Sequence, residues 1–385
     1  MSQPLAGIRV ADFSHVMAGP YATHLLRLLG AEVIKIEAPG RGDAMRYYGN
    51  DRRHDGMAPA FIAVNAGKKS IALDLKAPRD AELARSIVAR CDVLVENFRP
   101  GVMTRLGLGF EAVRKLRTDI VYCSVSGYGQ SGPLRDWPAI DNIVQATSGM
   151  MSLGGEPGDP PTRVGFPAVD TLTGQTAAFA ILAALLRRSQ GSRDAQFIDV
   201  AMFDASLAFM ASAVVPYLVT GKALQRTGQV GYSGQPTSGL FRASDGHHVS
   251  LGVVQQHQFE RLATLLDRPA WLTDPRFATS QARLDNAAVL VAELDAVIAT
   301  QSADHWETVL SDAGVPCGRV REVGEAISLP HLAERGLKLP LSVPGLPEPV
   351  SVVNAGFRMS EDGPHVDTPP PRLDEHRDEI LRWIG

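Results

Sequence analysis

The strongest constraint on the fold is the regular alternation of two hydrophobic patterns across the first 130 residues. "GIRVADFS" (Gly7 to Ser14), "AEVIKIE", "SIALDLK", "DVLVENF" and "IVYCSVSGYG" are short, apolar, β-rich runs. Helical patterns such as "AGPYATHLLRLLG" and "RDAELARSIVARC" separate them, the first with Pro20 near its opening turn and Gly30 as its stop. Strands that alternate with helices build βαβ units and imply a parallel or mostly parallel sheet, so an α/β protein is expected. Gly, Pro and Asp then crowd residues 130–165 ("SGPLRDWP", "LGGEPGDPP"), which read as long loops. An apolar helix follows in "GFPAVDTLTGQTAAFAILAALLRR", and "AQFIDVAMFDASLAFMASAVVPYLV" reads as a strand running into one further helix. From about residue 239 to 330 the composition changes to that of a second domain. Its opening hairpin "LFRASDGHHVSLGVV" turns at Asp245-Gly246. Pro-rich "LPLSVPGLPEPV" and a helix near "DEHRDEILRWI" complete the chain.

Charge and cysteine usage narrow the function classes. A net charge of -4 leaves no basic excess to drive binding along a nucleic-acid backbone. Cys91, Cys123 and Cys317 lie far apart with no Cys-x-x-Cys pair, which speaks against structural zinc or a disulfide framework. No metal site is expected. The N-terminus lacks a secretory pattern and no apolar run reaches the length of a membrane span, so a cytoplasmic protein with no membrane partner is expected.

Three places carry chemistry. The first βα junction, "DFSHVMAGPYATHLL", holds His15 and could offer backbone N–H groups to an anion, although neither the dinucleotide fingerprint nor the P-loop is present. Lys68, Lys69 and Lys76 in "NAGKKSIALDLK", with Arg99 and Arg105 in "NFRPGVMTRLGLGF", place five cations around strand ends, suiting a ligand with several phosphates. Asp170 opens the long apolar helix. As a helix cap it would accept backbone N–H bonds, meet the positive end of the macrodipole and stay ionised at neutral pH. At the floor of a cleft the same carboxylate could attack an activated acyl carbon and form a mixed anhydride. Composition leaves both roles open.

These residues resemble the family III CoA-transferases, a family that includes carnitine-CoA transferases and α-methylacyl-CoA racemases. The resemblance is carried by "GIRVADFSHVMAGPYATHLLRLLGAEVIKIEAPGRGDAMR", "NAGKKSIALDLK", "DVLVENFRPGVMTRLGLGF", "CSVSGYGQSGP", "PAIDNIVQATSGMMSLGG" and "PAVDTLTGQTAAFAILAALL". "DGHHVSLGV", "DPRFATSQARLDN" and "AGVPCGRVREVGEAISLPHLAERGL" continue it, so it covers almost the whole chain. It implies a large Rossmann-like CoA-binding domain over residues 1–222, a smaller α/β domain over 223–330, and a segment 331–385 returning to the large domain. It also implies an interlocked homodimer.

The same resemblance places the nucleophile on Asp170 and implies contacts to coenzyme A from His15, Val16 and Met17, from Leu73, Asp74, Leu75 and Lys76, from Asn97, Phe98 and Arg99, and from Arg105. Acyl-CoA enters as substrate and a carboxylic acid as acceptor, with no permanently bound cofactor. Ala38 stands where some members carry an arginine for the adenine end; Met17 stands where oxalate-using members carry glutamine, and this second departure counts against oxalate or formyl substrates. In the racemase branch a His-Asp pair opposes the nucleophile-equivalent Asp; here that pair reads Ile140-Asp141, so two-base proton transfer lacks one partner. Asp141 is given a supporting place beside the cleft, and the loop Gly231 to Gly239 an oxyanion role. Racemisation and CoA binding without turnover remain the alternatives.

Overall fold

The computed structural model describes residues 3–49 and 56–385. The chain forms two compact units, one of Met1–Met150, Arg163–Lys222 and Pro330–Gly385, the other of Met151–Thr162 and Ala223–Leu329. In the larger unit β1 (Arg9–Asp12), β2 (Glu32–Glu37), β3 (Lys69–Ala72), β4 (Val93–Glu96), β5 (Val121–Ser126) and β6 (Gln196–Ala201) form one parallel sheet in the order β3-β2-β1-β4-β5-β6. This is the α/β architecture expected, with the strand order of a doubly wound sheet.

Successive strand residues point to opposite faces, and here both faces are covered. Val10, Val33, Val93, Val95, Val121 and Cys123 pack on one side with the helices Ala18–Leu28 and Ala168–Ser189. Ala11, Ile34, Ile71, Leu94 and Tyr122 pack on the other with Pro78–Val88 and the final helix Arg377–Ile384. That double burial is why each strand reads as an unbroken apolar run. The last segment of the chain is tied to β3: the Ala72 N–H donates to Asp374 Oδ1 at 2.8 Å and the His376 N–H to the Ser70 carbonyl at 3.0 Å.

The helix Ala168–Ser189 has 22 residues and is apolar enough, by length and composition, to cross a bilayer, which corrects the reading of apolar runs. Leu172, Ala177, Ile181 and Leu185 are nonetheless buried in the protein's own cores. In its second turn Gly174 permits a close approach: a Cβ there would lie 2.7 Å from the Ala18 carbonyl oxygen. After β6 the expected single helix is two, Met202–Phe209 and Ala211–Thr220, bent by 78°.

The smaller unit holds an antiparallel sheet of β7 (Ser238–Arg242), β8 (His248–Gly252) and β9 (Cys317–Arg319) over a core that includes Phe259, Trp271, Phe277 and Trp306. The hairpin turns at Asp245-Gly246 as its residues require, with Gly246 at φ 82°. In the larger unit the Pro-rich segment, given no element in the sequence, forms a two-stranded antiparallel sheet of β10 (Lys338–Leu341) and β11 (Val350–Val353). Leu339, Leu341 and Val352 alternate inward against a core containing Met45 and Phe61.

Candidate active site

In a doubly wound sheet the crevice for a ligand opens at the carboxyl ends of the strands where the order reverses, here between β1 and β4. Two loops meet there. Asn97, just after β4, donates its amide to the His15 carbonyl at 2.8 Å and accepts the His15 N–H at 2.9 Å, so one side chain pins the turn after β1. The rings of His15 and Phe98 approach to 5.1 Å. Val16 has φ 66°, a left-handed conformation that costs a β-branched residue about 1–2 kcal/mol. Buried ionic groups beneath the turn hold it in place. Asp43 accepts the Val16 N–H at 3.0 Å and pairs with Lys35 at 2.9 Å, while Lys35 donates to the Ser14 carbonyl at 2.8 Å. Sequence reasoning missed Asp43, whose partner Val16 lies 27 residues upstream.

The turn opens onto a cavity of about 840 Å³ within the larger unit. Its wall takes His15, Val16 and Met17 from the first turn and Asn97, Phe98 and Arg99 from the second; Asp141 and Asp170 come from two later helices, and Ile140 precedes the first of them. Nine of the residues expected to form the site are thus brought together. Leu73, Asp74, Leu75, Lys76 and Arg105 are not on this wall. Leu73 is buried in the sheet core, Leu75 packs on the same apolar cluster as Phe98, and Asp74 and Lys76 are exposed at the carboxyl end of β3.

The division of labour between the two aspartates differs from the expectation. Asp170 is the third residue of its helix, and the cap position is Pro167. The capping carboxylate is Asp141, at the start of the helix Asp141–Thr147: its Oδ2 accepts the Val169 N–H at 2.8 Å and the Asp170 N–H at 3.0 Å. Among the described residues no group donates to the Asp170 carboxylate. Burial, and then the negative charge of Asp141, push it up to about 7, so it is not held ionised as a cap would be. The helix that was expected to stabilise its charge instead sets it beside a second acid. Ile140 precedes Asp141 as an exposed apolar side chain with no acid–base chemistry.

The cation cluster is also rearranged. Lys68 is buried and donates to Asp12 at 3.0 Å, to Thr23 Oγ1 at 2.7 Å and to the Pro20 carbonyl at 2.9 Å, so it serves the interior and not a phosphate. Burial lowers it to about 8 against the pull of Asp12, whose own pKa is held down to about 2 by Lys68 and Lys35 despite burial. Lys69 pairs with Glu32 and Glu379. In their place the structure supplies Arg135 and Arg163 on the cavity wall. A Cβ at Gly101 (φ 82°) would lie 3.2 Å from a guanidinium nitrogen of Arg105 and 3.8 Å from one of Arg135, so a glycine lets the two arginines converge. Both new arginines sit in the Gly- and Pro-rich stretch read only as loops.

A second cavity of about 410 Å³ lies on the β4–β5 side and shares Arg99. Its Glu96 is buried and lifted to about 7, but it is satisfied by the Phe98 N–H at 2.8 Å and by the Ser124 hydroxyl. Among the described residues no such donor reaches the Asp170 carboxylate in the first cavity. In the smaller unit the amides of Gly231, Gly234 and Ser238 are already bonded within their own loop, which leaves them unavailable to an oxyanion in this conformation.

CoA-transferase family III matches residues 5–377. The chain is 40% identical over 375 residues to an acetyl-CoA:oxalate CoA-transferase of Acetobacter aceti, covering 97% of this chain and 93% of that protein. It is 36% identical to a succinyl-CoA–D-citramalate CoA-transferase of Chloroflexus aurantiacus, covering 98% and 93%. A crystal structure of a CaiB/BaiF family protein from Brucella suis superposes with a TM-score of 0.90 at 32% identity over the whole of both chains. With the match spanning nearly every residue, the chain belongs to CoA-transferase family III.

Proposed function

We propose that the protein moves CoA from an acyl-CoA to a dicarboxylic acid through an aspartyl anhydride on Asp170. The observation that carries the reading is the Asp170 carboxylate: it lines a large cavity, no group among the described residues donates to it, and burial and Asp141 push it up to about 7. A carboxylate stripped of donors is a stronger nucleophile than a solvated one. Arg99 and Arg135, with Arg105 beside them, receive the phosphates of CoA. Asp170 attacks the thioester carbonyl, the C–S bond breaks, and a mixed anhydride and CoA thiolate form. The thiolate attacks the aspartyl carbonyl and releases the donor acid, leaving an aspartyl thioester. The acceptor carboxylate then attacks that thioester and expels the thiolate, forming a second mixed anhydride; the thiolate attacks its acceptor-derived carbonyl, forms the new thioester and releases the Asp170 carboxylate. Each cycle therefore leaves one oxygen of the acceptor on Asp170.

Related proteins named for oxalate, citramalate and glutarate support a dicarboxylate acceptor. Arg163, on the cavity wall beside the segment that leads into Asp170, offers a cation for the distal carboxylate. Met17 packs on apolar neighbours and brings no hydrogen-bond donor, which favours an acid longer than oxalate. The protein acts as a homodimer: the helix Ala211–Thr220 buries none of its residues, and Phe179, Phe209, Leu218 and Val219 are exposed by 69–78%, a patch that a second copy would cover.

Incubation with acyl-CoA followed by hydroxylamine and peptide mass spectrometry tests the reading. Modification at Asp170 supports it. Exchange of the α-proton into deuterated water without modification would indicate racemisation, and tight CoA binding with neither would leave a binding protein.

A further inference from the structure

Asp141 and Gln145 lie four residues apart on one helix, so their side chains share a face. Asp141 Oδ1 accepts the Gln145 Nε2 amide at 2.6 Å, while its Oδ2 takes the N–H groups of Val169 and Asp170. Gln145 is fully buried, and its Oε1 accepts the Val164 N–H at 2.8 Å. Two side chains thereby grip both ends of the segment Val164 to Asp170. The first backbone N–H groups of a helix have no partner inside it, and an aspartate in the first turn can fold back to satisfy them. Here Pro167 at the cap position offers no acceptor side chain, and Asp141 takes the amides from outside. Among the described residues, none engages either carboxylate oxygen of Asp170.

We infer that Asp141, held by Gln145, is a positioning residue that fixes the helix start and keeps the Asp170 carboxylate free and aimed into the cavity. The inference rests on Asp170 being the nucleophile. Hydrogen-bond polarity makes it specific. Val164 N–H fixes which end of the Gln145 amide faces Asp141, so position 141 meets donors on both sides and needs an acceptor on both. Asparagine satisfies one side and clashes with the other. Changing Gln145 to Glu at the same time repairs the network: the new amide at 141 donates to the new carboxylate at 145, which still accepts the Val164 N–H.

The test measures the single-turnover rate of Asp170 acylation and the KM for acyl-CoA in the wild type, D141N, Q145E and the D141N/Q145E double variant, at about pH 8.5 where Asp170 is ionised. D141N is expected to slow acylation about 30-fold with KM changed less than about twofold, the pattern of a group that acts on positioning and not on binding. The double variant is expected to recover at least about tenfold over D141N. Wild-type acylation by D141N, or a double variant no faster than D141N, would overturn the clamp. Hydrogen exchange supplies a readout independent of turnover. The Val169 and Asp170 amides are expected to be protected in the wild type and to exchange faster in D141N; unprotected amides in the wild type would also overturn it. Failure to trap any acyl group on wild-type Asp170 would instead remove the nucleophile reading, while the exchange data still judge the clamp.

Discussion

Replacing Asp170 by asparagine should stabilise the protein, and more so as the pH rises. The carboxyl is pushed from its ordinary 3.8 to about 7 by burial and by Asp141. The folded state therefore holds its proton more tightly than the unfolded state. Between those two values the unfolded chain has already ionised, so the contribution of Asp170 to stability falls steadily with pH and is fully unfavourable above about 7. About three pH units at about 1.4 kcal/mol each set a ceiling near 4 kcal/mol. The side chain is partly exposed and its surroundings relax, so roughly half of that, about 2 kcal/mol, is the expected gain above neutrality. Asparagine has the same shape, carries no charge and loses no donor, since none among the described residues reaches the carboxylate. Urea unfolding at pH 5 and pH 8 is the assay. The advantage of D170N over wild type should widen by about 1 kcal/mol between them. A gap that stays constant or narrows would show that Asp170 titrates as an ordinary surface acid, unaffected by burial or by Asp141.

The same titration predicts that the Asp170 acylation rate falls as the pH drops below about 7, because the protonated acid cannot attack; a rate flat down to about pH 5 would contradict it. Arg135→Ala should raise the KM for acyl-CoA about tenfold and leave kcat within about twofold, as steady-state kinetics would read, since the guanidinium meets phosphate in ground and transition states alike. Gly174→Ala should destabilise the protein by about 2 kcal/mol in urea unfolding, against the roughly 1 kcal/mol that alanine gains in a helix, because its Cβ would press on the Ala18 carbonyl.

The parallel sheet was legible because both of its faces are buried, so Val10-Ala11 and Val93-Leu94-Val95 could only be read as interior strands. β10 and β11 were hidden by prolines that an edge strand tolerates and that composition reads as coil. At the site, the first turn and the Asn97–Arg99 turn were legible because strand ends in this architecture are where loops carry chemistry. What escaped depends on partners distant in sequence. A local rule assigns the cap of the Asp170 helix to Asp170 itself, whereas the carboxylate that reaches its amides is Asp141, 29 residues upstream. Lys68 looked like its neighbours in the cation cluster, and only the fold shows Asp12 and Thr23 closing around it. Arg135 and Arg163 gave no periodic signal at all.

The central claim is that Asp170 enters covalently into each turnover, and oxygen transfer tests it most directly. Turnover with a donor acyl-CoA and an acceptor acid labelled with oxygen-18 in its carboxylates should leave the label in the side chain of Asp170, located by fragmenting the peptide that contains it. The new acyl-CoA should retain one labelled oxygen at the thioester carbonyl. Product that accumulates while Asp170 stays unlabelled would contradict the account, because acyl transfer would then bypass the anhydride.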